Sequence, residues 1–292
     1  MAGRVVAVTG GARGIGRAIA QRCAEAGMRV AIGDLDPELA RAAAAGLGGG
    51  HLAAGLDITS RAEFAAFIDR TETQLGALDV LINNAGVFTA GSYADEPDEI
   101  TERVVLTNLL GTMAGTKIAL QRMLLQGHGH IVNISSIGAV LPSGGAVSYS
   151  AAKAGVLGMS RALRDELAGT GIKVTVVMPG TIATEMTAPL APPPPGTPKP
   201  LAPSAAADAI VQALRTGRRE LYIPGLLGPV VTGLGVLPPR ASDAVKRLAG
   251  FHQAVANSDP ARARAYQERV AAERAAHASV AAPTGPGPKT AP

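Results

Sequence analysis

One cysteine (Cys23), no tryptophan, and four phenylalanines with four tyrosines are all that this chain of 292 residues holds of those four types. A lone thiol excludes an intramolecular disulfide, so a reducing, cytoplasmic setting is expected, with Cys23 a small packing residue on a helix. Charge is scarce as well: charged residues are 17% of the chain and the formal net charge is +4. Lys and Arg are scattered without clusters or interleaved aromatics, which argues against a nucleic-acid partner. The N-terminal apolar stretch is too short for a signal peptide. Residues 221–239, "LYIPGLLGPVVTGLGVLPP", carry no charge, but four prolines and four glycines interrupt them, so no transmembrane span is expected. The plain reading of that run is a core strand followed by an apolar loop or short helix. The sharper reading makes 224–239 an apolar flap at a substrate entrance, or a surface in peripheral contact with a membrane. "GHGH" at 127–130 lacks acidic or cysteine companions and reads as a turn before a strand, with no metal expected.

Hydrophobic residues make up 47% of the chain, enough for a large core. Short β-branched runs alternate with longer helical patterns: "RVVAVT", "MRVAIGD", "HLAAGLDI", "LDVLINNAG", "HIVNIS", "IKVTVVMPG" and "ELYIP". Strand and helix in strict alternation imply βαβ crossovers, hence an α/β fold with a doubly wound parallel sheet of seven strands in one domain over residues 1–240. Helical patterns continue at 241–250 and 258–277 as a C-terminal extension (241–280), and 281–292 read as a disordered tail. The proline-rich 187–203 stretch reads as a loop at the carboxyl edge of the sheet.

"TGGARGIG" at 9–16 stands between the first strand and the first helix. In that place Gly10 permits a sharp turn, Gly14 lets the backbone approach a pyrophosphate, and Gly16 permits close packing of helix on sheet. Three residues separate Gly10 from Gly14 instead of one, so this is a variant of the dinucleotide fingerprint. Asp34 ends the second strand about 20 residues later, where a carboxylate accepts from ribose hydroxyls and repels a 2′-phosphate. Arg13 pulls the other way by offering a guanidinium. The balance favours NAD over NADP.

With these residues the chain resembles the short-chain dehydrogenase/reductase family, and further marks follow in order across residues 4–224. They are Asp57 and Ile58 in "LDIT", "NNAG" with Asn84, Ala85 and Gly86, Asn108 in "TNLLG", Ser136 in "NISS", Tyr149 and Lys153 in "YSAAK", and "PGTIAT" with Pro179, Gly180, Ile182 and Thr184. The resemblance implies a Rossmann-type fold and an enzyme acting on CH–OH groups. Gly10, Arg13, Gly14, Ile15, Gly16, Asp34, Asp57, Ile58 and the "NNAG" and "PGTIAT" residues would contact the cofactor. Asn108 would position Lys153 and a water, and Lys153 would also bond the nicotinamide ribose. Homodimers or homotetramers through residues of roughly 100–126 and 148–168 are expected from the same resemblance.

Tyr149 and Lys153 are four apart on one helix and share a face. A free phenol titrates near pH 10, so a neighbouring ammonium favours the phenolate that a general acid/base must reach. Ser136 would hold the substrate oxygen; only its spacing to Tyr149 separates it from Ser135. Three activities compete: an NAD-dependent dehydrogenase of a secondary or lipophilic alcohol, an NADPH-dependent ketoacyl-type reductase, and a non-catalytic NAD-sensing protein. The C-terminal pattern has a loose similarity to the retinol-dehydrogenase-like branch, which suggests an apolar alcohol or ketone as the small-molecule partner.

Overall fold

The computed structural model describes residues 1–191, 199–235, 237–238, 240–241, 244, 255 and 257–281. Seven strands form one parallel sheet: β1 (Val5–Thr9), β2 (Arg29–Asp34), β3 (Leu52–Gly55), β4 (Leu78–Asn83), β5 (Gly129–Ile134), β6 (Ile172–Pro179) and β7 (Glu220–Ile223), in the order β3-β2-β1-β4-β5-β6-β7. The helices between them are α1 (Gly14–Glu25), α2 (Pro37–Ala45), α3 (Arg61–Leu75), α4 (Asp98–Val105), α5 (Thr112–Gln126), α6 (Val147–Glu166) and α7 (Pro203–Thr216). After β7 come α8 (Leu227–Gly235) and α9 (Pro260–Ala281). The doubly wound seven-stranded sheet expected from the alternation is therefore the observed architecture.

The central strands are buried on both faces, and their alternation divides the core into two layers. Val6 and Val8 of β1 face Ile19, Cys23 and Ile210 on one side; Val5 and Ala7 face Phe64, Ile68 and Met123 on the other. Burial pushes the Cys23 thiol up to about 12, which leaves it unreactive. Strand order reverses between β1 and β4, and the crevice at such a reversal is where open α/β sheets take ligands. No helix among the described residues is long and apolar enough to cross a membrane.

Two helices depart from simple expectation. The long helical stretch after β4 splits into α4, a π turn (Leu106–Gly111) and α5, and Asn108 lies buried in that turn. The helix expected near 258–277 forms as α9, capped by Asp259, whose carboxylate accepts from the Ala261 and Arg262 amides at 2.9 and 3.2 Å, and it runs on to Ala281. The 241–250 helix and the 281–292 tail fall almost wholly outside the described residues.

His130 on β5 is buried, its Nε2 2.8 Å from the Thr175 hydroxyl, whose own hydrogen goes to the Arg218 carbonyl. Burial, with Lys173 and Arg4 nearby, pushes the imidazole down to about 4 from 6.5. The unfolded chain therefore binds the extra proton between those values, and the folded state loses stability as pH falls through that window. The loss reaches roughly 3 kcal/mol when complete. Thermal melts of the parent and of His130→Gln across pH 7 to 4 should show the parent losing ground to the variant on acidification; a constant gap would clear His130 of this role.

Candidate active site

The turn between β1 and α1 is held by β4. Asn84 donates its side-chain amide to the Thr9 and Gly10 carbonyls, both at 3.0 Å, while the Thr9 hydroxyl accepts from the Asn84 and Ala85 amides. Gly10 has φ +61°, and a Cβ there would stand 2.8 Å from the Ala85 Cα. A Cβ on Gly16 would stand 2.1 Å from the Gly10 carbonyl oxygen. Both sites exclude any side chain, which leaves the α1 N-terminus open to the crevice.

Asp34, at the end of β2, is buried and accepts from the Ala12 amide at 2.9 Å and the Asp36 amide at 3.3 Å. Burial raises its carboxyl above the ordinary range, while those two amides and the Arg13 guanidinium pull it back. Asp57 accepts from the amide and hydroxyl of Thr59 at 2.8 and 2.7 Å. Ile58 is buried against Gly111. On the far side, the Gly180 amide donates to the Ile223 carbonyl at 2.7 Å, Ile182 bridges to Leu201, and Thr184 caps the short turn Glu185–Thr187.

α6 carries Tyr149 and Lys153 on one face, the ammonium 5.7 Å from the centre of the phenol ring. Lys153 donates to the Ile134 carbonyl at 2.9 Å, and its burial lowers it to about 8. Burial raises the Tyr149 phenol, and the neighbouring Ser136 side chain partly offsets this. Phe88 meets the phenol edge-on, ring centres 5.0 Å apart, and limits its rotation. Ser136 accepts from the Gly138 amide at 3.1 Å, whereas Ser135 donates to the Lys153 carbonyl at 2.8 Å. Of the two serines, Ser136 is thus the one beside the phenol: a Cβ on Gly138 would stand 3.5 Å from its hydroxyl and 3.9 Å from the Tyr149 ring. Asn108 spends its side chain on Val87, donating to the carbonyl at 2.8 Å and accepting from the amide at 3.1 Å. The group holding the Lys153 ammonium is Ile134.

Every predicted site residue except Gly16 and Asn108 lines a single cavity of about 250 Å³. Those two stand behind its wall. The sequence model of the short chain dehydrogenase family matches residues 4–194, about two thirds of the chain. The chain belongs to the short-chain dehydrogenase family. It is an oxidoreductase of the class that acts on CH–OH groups. The human 3-oxoacyl-[acyl-carrier-protein] reductase is 41% identical over 184 residues, 63% of this chain and 78% of that one. An actinorhodin polyketide ketoreductase crystallised with NADPH superposes with a TM-score of 0.69 at 32% identity, over 75% of this chain and 95% of that chain. A short-chain dehydrogenase/reductase from Burkholderia phymatum crystallised with NAD has a TM-score of 0.72 at 22% identity, over 79% of this chain and 92% of that one, a likeness of fold.

The residues present fit a nicotinamide dinucleotide. Two glycines that admit no Cβ form a cradle beside a helix N-terminus, which suits a pyrophosphate, and a buried strand-end carboxylate suits ribose hydroxyls. What the sequence did not disclose is that the cavity is also lined by Arg103 of α4 and by Tyr266, Arg269, Val270, Glu273 and Arg274 of α9. Tyr266 and Val270, the apolar pair on a charged helix, were the available hint, but nothing local says where that helix docks. No described residue of 224–239 lines the cavity; α8 packs Leu227 against Gly180, behind the cavity wall, and Gly228 against Tyr222. Of the proline-rich loop, Thr187 reaches the cavity and 192–198 lie outside the described residues.

Proposed function

We propose that this enzyme interconverts an alcohol, secondary or lipophilic, and its ketone or aldehyde, using NAD. The observation that carries the reading is the convergence of the Tyr149 phenol and the Ser136 hydroxyl with a buried Lys153 ammonium on one cavity. Tyr149 gives or takes the proton at the substrate oxygen, and Ser136 holds that oxygen and stabilises charge developing on it. Lys153 is mostly protonated at neutral pH even at about 8, and its charge lowers the cost of the phenolate beside it. A bound nicotinamide dinucleotide supplies the hydride acceptor or donor. Val87, Ile134, Ile182 and Met186 give that cavity apolar walls, which suits a lipophilic substrate.

A second reading, an NADPH-dependent ketoacyl-type reductase, is favoured by the 41% identical human reductase and by the ketoreductase crystallised with NADPH. Asp34 supports NAD: a 2′-phosphate at a ribose bonded to it would face a buried carboxylate. Steady-state kinetics with both cofactors on a panel from short aliphatic to steroid alcohols, and on ketoacyl thioesters in reverse, separate the two. Asp34→Ser should raise the NADP to NAD ratio of kcat/KM at least tenfold, about 1.4 kcal/mol. A parent preferring NADPH on ketoacyl substrates would move the enzyme to the second reading. We further propose assembly as a homodimer or homotetramer through α4, α5 and α6, on and between which Leu106, Leu110, Met113 and Val147 are exposed; a monomer mass in light scattering would reject it.

A further inference from the structure

Helix α9 lies beyond residue 194, where the family match ends, yet it docks along the dinucleotide crevice. Three of its residues take the groups around the strand-end acid. Glu273 pairs with Arg13 at 3.0 Å. Arg274 pairs with Asp57 at 3.3 Å and donates to the Thr59 hydroxyl at 2.8 Å. His277 sets one ring nitrogen 2.9 Å from the carbonyl of Leu35, the residue after Asp34, and the other 2.7 Å from Glu63. Toward the other end, Val270 packs with Val87, Val104 and Ala152, and the Tyr266 hydroxyl accepts from the Phe88 amide at 3.4 Å.

We propose that α9 is an internal occupant of the dinucleotide crevice, docked on the groups that serve the adenosine half, and that it must leave them before a dinucleotide binds. This rests on the dinucleotide reading given above. Two further observations carry it. First, with α9 in place the cavity is about 250 Å³, below the roughly 300–1,000 Å³ that drug-sized ligands fill, and a dinucleotide is larger than most of those. Second, the helix is held almost wholly by polar contacts: Val270 is its one buried residue among those described, and its pairs with Arg13, Asp57 and Glu185 and the Gln267 bond to the Phe88 carbonyl are partly exposed, so water can replace each at small cost. Segments that gate ligand sites share this pattern of few buried apolar contacts and solvent-exposed polar ones. A helix that closed over bound cofactor would leave Arg13 and Asp57 free for the ligand; here its own side chains satisfy both. The apparent dissociation constant is then the intrinsic one divided by the open fraction.

The test uses the full chain and its variant Glu273→Gln/Arg274→Gln/His277→Gln, with NADH binding followed by fluorescence. Hydrogen exchange of 260–281 in the parent, with and without saturating NADH, gives a second readout that needs no variant. The variant should bind NADH about tenfold more tightly than the parent, and NADH should speed exchange in 260–281. Equal affinities with unchanged exchange would overturn the occlusion while leaving the dinucleotide site intact. Tighter binding by the parent, with slowed exchange, would also overturn it, in favour of a helix that closes on the cofactor. Failure of both proteins to bind NADH or NADPH would instead overturn the dinucleotide reading, and this inference with it.

Discussion

Tyr149→Phe should lower kcat by about 10³-fold while leaving the NADH dissociation constant within about threefold of the parent. The substitution removes one oxygen from a ring that Phe88 holds edge-on at 5.0 Å, so the ring's place and the cavity's shape persist. What is lost is the phenol hydroxyl on the cavity that also holds Ser136 and the buried Lys153 ammonium. Positioned general acid/base groups contribute 10²–10⁴-fold, and water admitted to an apolar pocket replaces them poorly. Single-turnover rates with a substrate found in the alcohol panel, beside fluorescence titration of NADH, give both numbers. An unchanged kcat would show that the proton is handled elsewhere. A large rise in the NADH dissociation constant would recast Tyr149 as a binding residue.

Gly16→Ala carries the second large expectation. Its Cβ would lie 2.1 Å from the Gly10 carbonyl oxygen and 2.5 Å from the Asn84 amide nitrogen, and these two neighbours are fixed by each other through a 3.0 Å hydrogen bond. Relief requires the turn to lift from β4, which loses the Asn84 bonds to Thr9 and Gly10 and opens the packing of α1 on the sheet. Two partly buried hydrogen bonds at about 1 kcal/mol each and overpacking of about 1–3 kcal/mol give roughly 3–5 kcal/mol. For a domain of this size that lowers the melting temperature by about 10 °C, and binding of NADH should fall with the turn. Gly158→Ala on α6 is the control, since a Cβ there meets nothing within 4 Å and helix propensity alone should raise stability by roughly 0.8–1 kcal/mol. A Gly16→Ala protein as stable as the parent would show that the turn yields easily.

The central strands were legible because they are short, β-branched-rich runs buried on both faces, such as "VVAVT" with all five residues inside, while the edge strands "LAAG" and "ELYI" are half-buried and were read from the alternation around them. The glycine turn was legible because a missing side chain is written directly in the sequence. The π turn was not: Asn108 sits there because its amide closes on both backbone groups of Val87, a partner 21 residues away. Spacing placed Ser136 before Tyr149, yet the division of labour between the serines came from distance, Ser135 reaching the Lys153 carbonyl. The plain reading of 221–239, a core strand followed by an apolar short helix, is what forms as β7 and α8, whereas whether that helix would cover the site was not legible, because which neighbours it packs on is a tertiary matter.

The sequence by itself determined the parallel sheet, the glycine cradle and the Tyr149–Lys153 pair, because periodicity and one-turn spacing are local properties of the chain. Only the tertiary structure decided what faces that pair: α9 meets Arg13, Asp57 and Val87 across separations of more than 180 residues, and such docking depends on shape and charge assembled from several elements at once.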